Sequence, residues 1–129
     1  MPPDDERLKG LRILVAEDEF LVLMMLENML RELGCQIVGP VATVDAALDA
    51  ITRGGFDGAL LDMNLHGGRI TPAVEVLVAR GLPFLLCTGY GRNACEDAVL
   101  RDAPRLTKPF RLDDLRTAMI ATFLSADRG

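Results

Sequence analysis

The chain has 129 residues, the length of about one domain, and half of them are apolar, enough to bury a core without disulfides or metals. Fourteen basic against nineteen acidic side chains give a net charge of −5, which argues against nucleic acid as main partner, since phosphate backbones are bound through an excess of Lys and Arg. With no Trp and a single Tyr, Tyr90, there is little material for base-stacking platforms or aromatic cages. Cys35, Cys87 and Cys95 form no Cys-x-x-Cys pair and have no companion histidine pattern, so they are expected as reduced, apolar thiols. Met1 to Gly10 is polar and lacks a signal-peptide core, and the longest apolar run, Phe20 to Leu26, is far shorter than the ~20 residues a membrane span requires. A soluble cytoplasmic protein with no membrane association, and with no room for a second catalytic or output unit, is the expectation.

Short apolar runs alternate with helix-like segments, the pattern of an α/β protein with a mostly parallel sheet. Arg12 to Ala16 predicts a first strand. Phe20 to Leu33 predicts a helix, with Val22, Met25, Leu26, Met29, Leu30 and Leu33 on one stripe and Gly34 as its stop. Gln36 to Val41 reads as a second strand, and Thr43 caps a helix over Val44 to Arg53 that ends at Gly54-Gly55. Gly58 to Leu61 is the third strand, followed by a loop from Asp62 to Ile70. Thr71-Pro72 supplies a cap and a first-turn proline for a helix to Arg80, with Gly81 as its stop. Pro83 to Thr88 is the fourth strand, Asn93 to Leu100 a short helix, and Arg105 to Lys108 the fifth strand. Arg111 to Leu124 closes the pattern as a helix with Asp113 and Asp114 in its first turn, where the helix dipole favours them.

Ligands of open parallel sheets bind beyond the carboxyl ends of the strands. There the first strand ends in Glu17-Asp18, the third in Asp62, the fourth in Thr88 and the fifth in Lys108-Pro109. Carboxylates ~5 Å apart repel by ~3 kcal/mol per pair at an effective dielectric of about 20, so such a cluster calls for a cation. Oxygen-only donors select Mg²⁺, or Mn²⁺, over zinc. A carboxylate beside that ion can act as nucleophile toward a phosphoryl group, with Lys108 and Thr88 placed to bind its oxygens. Each residue alone has an ordinary alternative: solvated acids for Glu17-Asp18, a turn for Asp62, a helix cap for Thr88, a surface lysine for Lys108. Their joint placement after four strands is what carries the reading.

The segments Ile13-Leu-Val-Ala-Glu-Asp18, Leu60-Leu-Asp-Met-Asn-Leu65, Leu86-Cys-Thr-Gly89 and Leu106-Thr-Lys-Pro-Phe110 resemble the receiver domain of two-component response regulators from about Leu11 to Leu124. The resemblance implies a flavodoxin-like sheet of order 2-1-3-4-5 with helices on both faces, a polar segment at 1–10 and a tail at 125–129. It implies Asp62 as the acceptor of a phosphoryl group from a phosphohistidine, Glu17, Asp18, Asp62 and the Asn64 carbonyl around Mg²⁺, and Thr88 and Lys108 as the phosphoryl contacts, with a cis bond before Pro109. It also implies a signalling protein rather than an enzyme, partnered by a histidine kinase or a histidine phosphotransferase.

Arg105 stands where the family usually has an aromatic switch residue, and the only tyrosine follows Thr88 by two residues, in Pro83-Phe-Leu-Leu-Cys-Thr-Gly-Tyr90. This is similar to the FATGUY subgroup, many of whose members are stand-alone receivers paired with kinases of the HWE or a related class. Gly89 and Gly91 imply a loosely held segment up to Leu100 that phosphorylation would order. Phe20, Leu21, Leu23 and Met24 lie outside the core stripe of the first long helix, and are expected to be exposed as the kinase docking face. His66 is given no role. An FMN carrier is disfavoured because Glu17-Asp18-Glu19 would repel the cofactor phosphate, no Walker motif occurs, and Asp62-Met-Asn64 lacks the second carboxylate of an Asp-x-Asp phosphatase. A phosphorylation-independent interaction module of the same fold is the remaining alternative.

Overall fold

The computed structural model describes residues 4–65, 68–89 and 98–124. In chain order it contains α1 (Asp4–Leu8), β1 (Arg12–Ala16), α2 (Phe20–Glu32), β2 (Gln36–Val41), α3 (Val44–Arg53), β3 (Gly58–Asp62), β4 (Asn64–Leu65), β5 (Gly68–Arg69), α4 (Thr71–Arg80), β6 (Phe84–Thr88), α5 (Ala98–Arg101), β7 (Arg105–Thr107), α6 (Leu112–Met119) and a π-helical turn over Ile120–Leu124. The main sheet has the order β2-β1-β3-β6-β7 with every pairing parallel. This is the expected 2-1-3-4-5 arrangement, with β6 and β7 as the fourth and fifth principal strands.

Strand side chains alternate between faces, so each central strand supplies two cores. Leu14, Ala16, Ala59, Leu61 and Leu86 join Ala47, Ile51, Val74, Leu77 and Leu100 from α3, α4 and α5. On the other face Ile13, Val15, Leu60, Leu85 and Cys87 meet Leu26 and Leu30 of α2 with Leu115 and Met119 of α6. The central strands β1, β3 and β6 are buried on both sides, which explains why they read as continuous apolar runs rather than as alternating ones. At the end opposite the acidic residues, Arg12 holds Asp57 through its backbone N–H at 2.8 Å and its guanidinium at 3.1 Å, tying the start of β1 to the residue before β3. That pairing lowers the Asp57 carboxyl below its ordinary range, the hydrogen bond from Arg12 being the main cause.

Thr43 caps α3 as expected, its hydroxyl accepting from the Ala46 N–H at 3.0 Å, and Gly81 ends α4 with φ 69°, a left-handed conformation glycine adopts without strain. Other elements depart from expectation. The segment before Leu11 contains helix α1, and its Leu8 is fully buried, a contribution of about 1.5–3 kcal/mol that the surrounding charges mask in the sequence. The loop after Asp62 includes the small antiparallel pair β4 and β5. Helix α4 begins at Thr71 with Ile70 in the cap position, so Thr71 is not the cap; Ile70 is fully buried, and its packing fixes the entry instead. Ordinary α-helix in the last helix stops at Met119, and the wider π turn follows. Lys108-Pro109 is cis as expected, and Gly39-Pro40 is cis as well.

Phe20, Leu21 and Met24 are 71, 78 and 44 % exposed, whereas Leu23 is only partly exposed and packs against the second core. The expected four-residue face is therefore a three-residue one. Positions 90–97, which hold Tyr90, Cys95 and most of the expected fourth helix, and His66 lie outside the described residues. So does most of the segment expected to be ordered by phosphorylation. Among the described residues no helix is long and apolar enough to cross a membrane.

Candidate phosphoryl and metal site

Parallel pairing brings the carboxyl ends of β1, β3, β6 and β7 to one edge of the sheet. Main-chain bonds fix the residues that follow. The Glu17 N–H donates to Val41 O at 3.0 Å, the Met63 N–H to Cys87 O at 3.3 Å, and the Lys108 N–H to Thr88 O at 2.7 Å. The side chains of Glu17, Asp62 and Lys108 keep only 0, 12 and 16 % of their surface, so the charges at this edge sit in a poorly hydrated pocket.

Lys108 Nζ lies 3.2 Å from Glu17 Oε1, 3.5 Å from Asp62 Oδ2 and 3.9 Å from Glu19 Oε1. Glu17 Oε2 accepts the Glu19 N–H at 3.1 Å, and Asp62 Oδ1 accepts the Asn64 N–H at 3.4 Å. Carboxylate oxygens of Glu17, Asp18 and Asp62 come within 4.8 Å of one another, a spacing suited to a common cation. The exposed Asn64 sits beside them on β4, and the Thr88 hydroxyl is buried with no hydrogen-bond partner among the described residues.

Electrostatics follow from this crowding. Burial raises the Glu17 and Asp62 carboxyls above their ordinary values, against the opposing pull of Lys108. Burial alone would lower the Lys108 ammonium, but Asp62 and Glu17 outweigh it and hold the group above the usual lysine value. Cys87, the register neighbour of Asp62 on β6, has its thiol pushed up to about 12 by burial, which leaves it protonated and unreactive. One ammonium facing several carboxylates, two of them disfavoured as anions by burial, is an incomplete balance, and a hard dication bound by oxygens would correct it.

All of the acidic, hydroxyl and lysine residues expected at this edge are therefore found together. Two further residues enter the picture from the structure. Glu19 comes close to Lys108 because α2 starts just beyond it, and its adjacency to the acidic pair is its only signal in the sequence. Arg105, a departure from the family pattern in the sequence, donates to the main-chain carbonyls of Leu100, Arg101 and Ala103.

A five-stranded parallel sheet of this order with an acidic pocket at its carboxyl edge defines a receiver-type α/β domain. Comparison with known proteins agrees. The chain matches the response regulator receiver domain family over residues 13–120 and belongs to it. It is 34% identical over 113 residues to the transcriptional regulatory protein PdtaR of Mycobacterium tuberculosis, covering 84% of this chain and 54% of that protein. The chain thus spans about half the length of the curated relative it matches.

Among solved structures, SdrG from Sphingomonas melonis Fr1 is 43% identical with a TM-score of 0.75, over 91% of this chain and 95% of that one. A BeF3-activated conformation of SdrG is matched as well, with a TM-score of 0.71 over 91% of this chain and 96% of that one. The receiver domain of the sensor histidine kinase PA1611 from Pseudomonas aeruginosa PAO1, with a magnesium ion coordinated in its active-site cleft, is 26% identical with a TM-score of 0.75, over 87% and 98% of the two chains. Receiver domains are signalling modules of two-component systems that bind Mg²⁺ and interact with histidine kinases or phosphotransferases, and the cluster of Glu17, Asp18 and Asp62 fits such an ion.

Proposed function

We propose that Asp62 accepts a phosphoryl group from a phosphohistidine of a histidine kinase or histidine phosphotransferase, and that the phosphorylated protein signals or relays the group through protein contacts. The observation that carries this reading is the buried Thr88 hydroxyl, which has no partner among the described residues at the rim of the carboxylate and lysine cluster. A buried hydroxyl without a partner costs about 1–3 kcal/mol, and a phosphoryl oxygen is the acceptor it lacks. A metal site alone would leave that hydroxyl unexplained.

In the proposed step an Asp62 carboxylate oxygen attacks phosphorus in line. The new P–O bond forms as the P–N bond breaks, and its electron pair returns to the imidazole nitrogen. Lys108 turns from Glu17 and Asp62 toward a phosphoryl oxygen and neutralises it, while Thr88 donates to another. Glu17, Asp18 and Asp62, with the main-chain carbonyl of Asn64, would hold Mg²⁺, or Mn²⁺, which when bound supplies positive charge to the phosphoryl oxygens. Burial of Asp62 keeps it out of bulk water. The exposed Phe20, Leu21 and Met24 adjoin the acidic pair along the chain and would meet the donor. The Thr88 to Tyr90 segment favours a FATGUY-type receiver with a donor of the HWE or a related class.

The test is intact-mass measurement after incubation with Mg²⁺ and acetyl phosphate or phosphoramidate. The wild-type protein is expected to gain one phosphoryl group and Asp62→Asn none. An absence of any adduct on the wild-type protein would instead favour a module that acts without phosphorylation.

A further inference from the structure

Arg105 opens β7 three residues before Lys108. Its register partner is Leu86, whose side chain belongs to the core on the α5 side of the sheet, so Arg105 lies on that side as well. From there its guanidinium donates to the carbonyls of Leu100 and Arg101, at the end of α5, and its Nε to that of Ala103. The last carbonyls of a helix have no partner within it and favour a cation, so an arginine here takes the role that a capping residue would otherwise fill.

The two elements joined in this way are both short. Helix α5 has four residues, too few to be stable alone, and packs on the core through the fully buried Leu100 and the partly buried Val99. Strand β7 has three residues, paired only with β6 in the main sheet. Yet Lys108 follows β7 directly and its N–H bonds Thr88 O, at the end of β6, at 2.7 Å, so the strand that Arg105 opens leads into one phosphoryl contact and pairs with the strand that carries the other. The tether is made in a state in which the Thr88 hydroxyl is unpartnered among the described residues. Thr88 and Thr107 are register partners, so a movement of Thr88 toward a phosphoryl group bears on β7, the strand that the bonds from Arg105 to Leu100, Arg101 and Ala103 tie to the end of α5.

We propose that Arg105 is a latch that couples the end of α5 to the phosphoryl site and holds the domain toward its unphosphorylated arrangement. Arg105 is a positioning residue in this scheme and does not touch the phosphoryl group. The inference rests on the phosphoacceptor reading above. Its test is the affinity for beryllofluoride with Mg²⁺, a stand-in for the phosphoryl group on Asp62, in the wild type, Arg105→Gln and Arg105→Lys.

Removal of the latch in Arg105→Gln is expected to tighten binding by about five-fold or more, the lower range of ordinary coupling between sites. Arg105→Lys keeps the charge without the fork and should fall between the two. In the wild type, the ¹³C carbonyl resonances of Leu100, Arg101 and Ala103 should shift on binding. Unchanged or weaker affinity in the variants, or unmoved carbonyl signals, overturns the latch. Arg105→Lys decides by itself if the glutamine variant does not fold. A wild-type protein that fails to bind beryllofluoride overturns the phosphoacceptor reading and the latch with it, an outcome distinct from a wild type that binds and variants that bind equally.

Discussion

In the proposed reaction, stability and function oppose each other within the side chain of Thr88. Its hydroxyl is enclosed without a partner among the described residues, so in the unphosphorylated protein it is a cost, and the expected gain arises only when an acceptor arrives. Thr88→Val keeps the shape of the side chain and removes the hydroxyl. The variant is expected to unfold in urea with a free energy about 1 kcal/mol higher than the wild type, and to bind beryllofluoride with Mg²⁺ more weakly. Lower stability with unchanged binding would show that the hydroxyl serves the fold alone. At this scale the sequence is informative where position along a strand determines position in space. Glu17, Asp18, Asp62, Thr88 and Lys108 each follow or end an apolar run, and parallel pairing carries every such position to the same edge. Glu19 and Arg105 are not legible in the same way, because their contacts depend on where the start of α2 and the end of α5 come to rest. No local pattern encodes that.

Among the elements, the closing helix departs most informatively from its sequence pattern. Ile120, Phe123 and Leu124 continue the apolar spacing of α6, so an α-helix and a π turn predict nearly the same buried face. The packing against β3 distinguishes them. The ring of Phe123 lies over Gly58, and a Cβ built on Gly58 would stand 2.9 Å from two of its ring carbons. Gly58→Ala is therefore expected to destabilise the fold by about 1–3 kcal/mol, the cost of overpacking a filled core, as read from urea denaturation. Combining it with Phe123→Leu should recover part of the loss, since the ring is the obstacle; a strictly additive double variant would place the cost elsewhere. The central strands are legible as continuous apolar runs of strand length and the long helices by their period, with glycine or proline close to many of their boundaries. The β4-β5 pair is not, because strands of two residues have no period to read. Helix α1 is hidden for a similar reason, its one fully buried apolar residue, Leu8, standing among charges.

For the molecule as a whole, sheet, acid edge and apolar patch combine into a directional surface. The net charge of −5 leaves Phe20, Leu21 and Met24 as a local apolar exception at the start of α2, immediately after the acidic residues. Exposed neighbouring apolar side chains of this kind commonly form contact surface, and their position beside Asp18 suits the phosphohistidine donor proposed above. Leu21 is the most informative residue to change, because at 78 % exposure its replacement removes little internal packing. Leu21→Glu is expected to leave phosphorylation by acetyl phosphate within about two-fold of wild type, yet to slow transfer from a phosphorylated histidine kinase at least about ten-fold, equivalent to about 1.4 kcal/mol at the interface. Profiling transfer from a panel of autophosphorylated kinases would measure this whichever of them is the donor. Val78→Glu, 54 % exposed on α4 across the sheet, is the matching control and should alter neither rate. Leu23→Glu should behave differently again, because Leu23 packs against the second core and a charge there would weaken the fold, lowering both rates together. Equal losses in both assays for Leu21→Glu would assign the patch to folding, whereas loss confined to kinase transfer assigns it to the donor.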